Sequence, residues 1–206
     1  MKLLLTQAMA TLAFVCLAPV APQAQAASVT LTGSFNHDDD VRLFSFQVAN
    51  SSPVTLRTTS FATGGFDTIL TLFSSTGAFL SQNDGPVGSL LPDDATIQQS
   101  LAPGSYILAL TEFDNFQLTG PGGNLSDGFE RTGEGNFTAA LFGSSPSERA
   151  FIDVTGAQRT SDFSLTFDNV ISATASPEPA TLAIFVLGLA CLAGVRFPRR
   201  QSSSRN

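Results

Sequence analysis

In Arg42-Leu43-Phe44-Ser45-Phe46-Gln47-Val48 the residues Phe44, Phe46 and Val48 fall on every second position, a spacing that suits a strand with one buried face and does not suit a helix. The same period returns in Val54/Leu56, Tyr106/Leu108/Leu110, Phe137/Ala139/Leu141 and Phe163/Leu165/Phe167. Turn chemistry separates these runs at Asn50-Ser51-Ser52-Pro53, Ser75-Thr76-Gly77, Ala102-Pro103-Gly104 and Gly143-Ser144-Ser145-Pro146. The pattern predicts strands near 28–33, 41–49, 54–60, 68–73, 78–82, 95–101, 105–112, 136–142, 149–155 and 162–170. Many short strands at this spacing predict an all-β fold, an antiparallel β-sandwich or jelly roll. No internal repeat points to a solenoid or propeller.

The two cysteines, Cys16 and Cys191, lie outside the stretch Ala27 to Ala175. That body is therefore disulfide-free, and its core or bound ions must hold it together. It is also acidic. Every acidic residue of the chain lies between Asp38 and Glu178, where only five arginines oppose them. Such a surface repels nucleic acid and favours solubility or cation binding.

Antiparallel strands place successive connections at alternate ends, which turns the charge pattern into geometry. One end is expected to collect Asp38, Asp39, Asp40, Asp67, Asp84, Asp93, Asp94, Asp114, Asp127, Glu130, Glu134 and Asp162, against Arg131 and Arg159. Glu148 is the one acid beside the turns of the other end. The last predicted strand runs away from the acidic end, so that pole is expected to face away from any membrane the tail enters.

Both chain ends are apolar. Met1-Lys2 leads into an apolar stretch, and Ala24 and Ala26 offer the small residues a signal peptidase requires, so residues 1–26 read as a cleaved secretion signal. Lipidation at Cys16 is the weaker reading, because Val15 precedes it. Near the other end, residues 180–195 carry no charge and would span about 24 Å as a helix. Arg196, Arg199, Arg200 and Arg205 follow and mark the C-terminal side as cytoplasmic.

The order Pro177-Glu178-Pro179, apolar helix and arginine cluster resembles the bacterial PEP-CTERM sorting signal over residues 176–200, with Arg196, Arg199 and Arg200 as its basic end. The resemblance implies that an exosortase in the inner membrane removes the tail near the motif and passes the body to the cell surface or exopolysaccharide matrix. A permanently anchored protein is the competing reading. The expected organisation is a signal peptide at 1–26, a sandwich domain at 27–172 and a linker with the motif at 173–179. A transmembrane helix at 180–197 and a basic cytoplasmic tail at 198–206 complete it.

Three stretches of the body, Asp38 to Phe46, Gly65 to Phe73 with Ser75-Thr76-Gly77 and Asn83-Asp84-Gly85, and Leu101 to Leu108, resemble the bacterial pre-peptidase C-terminal (PPC) domain, a small jelly-roll module found beside secreted enzymes. The insertion from Asp114 to Gly135 and the segment after Gly143 are foreign to that pattern. Some relatives of the module bind calcium through acids that match Asp38 and Asp40 here, and Asn83, Asp84, Asp114 and Asn115 are within reach of the same end as further candidate ligands. Solvated acidic loops are the alternative.

Catalysis has little to draw on. The body has no cysteine and His37 is its one histidine, which leaves no thiol chemistry, no built triad and no histidine zinc site. Paired carboxylates of a glycosidase would be available, but aromatic sugar platforms are scarce and Trp is absent. No catalytic residue is assigned, and a non-enzymatic structural or adhesive protein is expected. The rival is a calcium-dependent polysaccharide-binding module of the matrix, with Phe113, Phe116 and Phe129 either contacting sugar or packing under their own loop.

Overall fold

A computed structural model describes residues 27–85, 93–143 and 149–176. The leader with Ala24 and Ala26, the sorting motif, the apolar run and the arginine cluster lie outside them. Among the described residues no helix is long and apolar enough to cross a membrane.

Among the described residues, nine strands form two antiparallel sheets. The first sheet runs in the order β1 (Ala27–Ser34), β8 (Asp162–Val170), β3 (Ser52–Thr58), β6 (Thr96–Leu101). The second runs β5 (Phe79–Asn83), β4 (Thr68–Ser74), β7 (Gly104–Glu112), β2 (Arg42–Val48), β9 (Ser172–Ala175). Phe44, Phe46 and Val48 of β2 meet Leu165 and Phe167 of β8 and Val54 and Leu56 of β3 in the core between the sheets. Phenylalanine rings continue that core toward one tip, with Phe167 5.5 Å from Phe46, Phe163 5.9 Å from Phe44, Phe66 4.7 Å from Phe35, and Phe151 5.5 Å from Phe66.

β4 departs from alternation, because Thr68 to Phe73 are all buried. Its inward residues Leu70 and Leu72 join the central core. On its outer face Phe73 joins Leu43, Ala109 and Phe129 in a second cluster, with Val41, Phe79, Ile107 and Leu125 against it. Phe129 and Leu125 belong to the insertion 114–135, which lies as a strap along the outside of the second sheet. Its far end is pinned at the turn after β4: Phe79 donates to the Gly123 carbonyl (3.0 Å) and Leu125 to the Gly77 carbonyl (2.8 Å). Asn124 and Asp127 complete a reciprocal cap of a short 3-10 turn there.

Three expectations need correction. Residues 136–142 are not a strand: Thr138–Phe142 forms a single α-helical turn, α1. Phe137, Thr138 and Ala139 are buried consecutively while Leu141 is 45 % exposed, a helical arc that alternation cannot produce. Residues 149–155 form no strand either, and contribute a single bridge between Ile152 and Gln158. Asp153 folds this segment back on itself, its Oδ1 accepting from Thr155 N, Thr155 Oγ1 and Ala157 N.

The third concerns direction. After β8 the chain crosses to the second sheet and returns as β9, antiparallel to β2, with Gln47 opposite Ser172 and Phe44 opposite Ala175. It therefore leaves the described structure heading toward the acidic tip, the reverse of the expected orientation. β9 also occupies residues read as the start of the linker.

Candidate functional site

The strand ends Ser34, Thr58, Asn83 and Glu112 and the strand starts Arg42, Thr68, Thr96 and Asp162 share one tip. Four carboxylates are buried there: Asp38 and Glu112 at 0 % exposure, Asp67 at 2 % and Asp153 at 3 %. Each owes its position to a local feature of the chain.

Asp38 sits in the tight loop between β1 and β2 and is enclosed by later segments. Its Oδ2 accepts from Thr138 N (2.9 Å) and from the Thr138 hydroxyl, and its Oδ1 accepts from Phe151 N (2.8 Å). One side chain thus ties α1 and the 149–155 segment to the first loop. Burial raises its pKa, against the pull of those three donors.

Glu112 continues the phase of Tyr106, Leu108 and Leu110 and so points inward at the end of β7. Neither of its carboxylate oxygens has a hydrogen-bond partner among the described residues. Burial pushes its pKa well above the ordinary glutamate value, and the charges of Asp38, Asp67 and Asp153 push the same way, opposed by Arg159. Asp67 Oδ1 accepts from Asp93 N (3.2 Å), yet burial dominates and its pKa rises to about 7.

Arg159 is the cation whose charge opposes those of the carboxylates at Glu112. Its Nε donates to the Gly65 carbonyl (3.0 Å), its Nη2 to the Phe61 carbonyl, and its guanidinium lies 3.7 Å over the Phe61 ring. Asp153 Oδ2 is 4.0 Å from Nε. Gly65 is required here, since a Cβ would stand 2.6 Å from the Asp162 carbonyl oxygen. Four ionised carboxylates gathered around Arg159 would carry an excess of negative charge, so this group takes up protons or attracts a hard cation.

The residues proposed as calcium ligands are divided. Asp40 Oδ2 accepts from Asn36 N (2.6 Å) and His37 N (3.2 Å). Asp114 pairs with Arg131, while Asn115 is buried, accepting from Arg131 N and donating to the Asp39 carbonyl (3.3 Å). Asn83 is spent on Gly85 and Thr96, and Asp84 beside it is exposed. Asp38, Asp40, Asp114 and Asn115 thus gather on the β1–β2 loop side, with Asn83 and Asp84 near Asp67 instead. Among the described residues, His37, Asp39 and Asp40 are the one trio whose ligand atoms lie within 4.8 Å of one another. Glu112 and Asp153 were missed from sequence. An inward-phase glutamate closing the Tyr106/Leu108/Leu110 alternation was the available signal.

Asp127 does not belong to this tip, because the strap carries it to the opposite one beside Asn124 and Gly77. Its Oδ2 accepts from Asn124 N (2.7 Å), which lowers its pKa. Of the candidate sugar contacts, Phe129 is buried between the strap and the second sheet, and Phe113 and Phe116 are half-buried against each other, edge to face at 5.8 Å. Strap and sheet enclose a mainly apolar cleft of about 610 Å³, walled by Val41, Leu43, Ile107, Leu125 and Phe129.

At the edge of the second sheet the chain stays paired up to the residue before the motif. Ser176 N donates to the Leu43 carbonyl (2.7 Å), and the Ser176 and Ser45 hydroxyls are 2.7 Å apart. From the next residue, a family profile for the PEP-CTERM protein-sorting motif matches residues 177–200. With that motif the chain is marked for export and for exosortase processing at the membrane, toward the cell surface. No curated protein matches the chain.

Proposed function

We propose that this is a non-enzymatic structural or adhesive protein of the cell surface or extracellular matrix, made as an exported β-sandwich with a temporary membrane anchor. The observation that carries the reading is the sorting motif at 177–200, starting directly after a folded body. A signal peptidase at Ala26 and an exosortase at the tail are its processing partners, and the inner membrane holds it only between the two events. The acidic surface suits an aqueous, cation-containing exterior and argues against nucleic acid as a partner. Intact mass in a host with its exosortase should show a body lacking the apolar run. Glu178→Ala should leave the full tail in the membrane fraction. Wild-type chain that keeps its arginine end in such a host would defeat the proposal.

A second reading, calcium-dependent binding of matrix polysaccharide, is favoured by the excess of carboxylates at the tip, where Glu112 offers two oxygens without hydrogen-bond partners among the described residues. Calcium has the chemistry for it, as a cation that takes oxygen ligands from flexible loops. If it holds, millimolar calcium raises the melting temperature of the body by several degrees over chelator, and the host's own polysaccharide retains the protein only with calcium. No thermal shift removes the metal, and no retention removes the sugar.

A further inference from the structure

Between the last paired residue of the sandwich and the sorting motif there is no spacer. Ala175 is opposite Phe44, Ser176 is hydrogen-bonded to Leu43, and the motif begins at Pro177. An enzyme that cuts a peptide holds several residues on each side of the bond in extended form, largely through main-chain hydrogen bonds. On the body side of the motif those residues are Ser172 to Ser176. Their main chain is engaged with β2, and the bulk of the second sheet stands directly against them.

From these observations we infer that β9 is part of what the sorting enzyme takes hold of, and that it leaves β2 before the tail is removed. The inference rests on the reading of residues 177–200 as a processed sorting signal. β9 is built to detach. It is an edge strand of four residues, and Ala173 alone among them is buried. Such a segment belongs to the low-stability end of local opening.

The chain just before it is held firmly, which limits how far opening travels. Val170 is 0 % exposed, and Asn169, in the left-handed region at φ 64, donates from Nδ2 to the Pro53 carbonyl (2.9 Å). Release from residue 172 onward frees five residues, about 17 Å of extended chain. The core strands β2 and β8 stay paired to β7, β1 and β3. The folded body can therefore remain intact while its last strand enters a membrane enzyme.

Ser45 and Thr174 are register partners, both exposed, on neighbouring strands. Ser45→Cys with Thr174→Cys, in a chain with Cys16→Ser and Cys191→Ser, allows β9 to be locked to β2 by a disulfide. Processing of the locked protein in exosortase-containing membranes is followed by mass, with the reduced form of the same chain as control. The locked form should be clipped at least tenfold more slowly, and reductant should restore the rate. A flexible ten-residue spacer inserted between Ser176 and Pro177 should restore it without reductant. Equal rates for locked and reduced protein overturn the inference, as does a locked chain that the spacer does not rescue. Failure of the reduced, unlocked chain to be clipped at all defeats the sorting reading itself, and the inference with it.

Discussion

Replacing Asp38 by Ala is expected to lower the folding free energy by about 4 kcal/mol, the cost of leaving buried donors unpaired. Three donors from two distant segments converge on this carboxylate: Thr138 N, the Thr138 hydroxyl and Phe151 N. Thr138 Oγ1 in turn accepts from Ile152 N (3.0 Å), so the loss spreads through one connected network. Asp38→Asn should cost less, because one oxygen is kept. Urea unfolding at neutral pH measures both. The loss in Asp38→Ala should be accompanied by faster proteolysis near α1 and residues 149–155. A variant within 1 kcal/mol of wild type, at the level of an ordinary surface change, would show that these segments dock by other means.

The second large effect is on pH. Asp67 has its pKa raised from 3.8 to about 7 by burial, so the folded chain holds its proton more tightly than the unfolded chain. The stability due to that proton is complete below pH 3.8, declines as pH rises toward about 7, and changes no further above it. Glu112 and Asp38 are shifted in the same direction, while the exposed Asp127 is shifted the other way. Between about pH 5 and pH 8 the body should lose about 3 kcal/mol from Asp67 alone, at 1.36 kcal/mol per pKa unit. Asp67→Asn should flatten the profile and be the more stable protein at the alkaline end. A stability that rises with pH across this window contradicts the assignment. Calcium added at the alkaline end should recover part of the loss if a cation seats against these carboxylates.

Strands β1 to β8, each within two residues of its predicted limits, were legible from a two-residue period where one face is buried and, for the wholly buried β4, from a short apolar run bounded by turn residues. Their division between two sheets was not, since register partners distant in sequence leave no local mark. Phe137/Ala139/Leu141 fits strand and helix alike over so short a stretch, and Asp38, far away in sequence, decides for the helix. β9 was invisible for the opposite reason. Ser172-Ala173-Thr174-Ala175 has no apolar stripe, and its strand form comes from main-chain pairing with β2. The concentration of acids at one tip could be anticipated, but not which of them are already spent. Asp38 and Asp114 look like free ligands in a list of residues, yet one is enclosed by three donors and the other is paired with Arg131.

Ala27 stands opposite Val170, at the tip away from the carboxylates, whereas Ser176 departs beside Leu43 near the other. The eight residues of β1 alone measure about 27 Å. If, as proposed, a leader ends at 26 and an anchor follows 179, a folded body tethered through both would have to lie flat along the bilayer. Cutting either tether lets it stand upright, and which cut comes first decides which tip is left nearest the lipid.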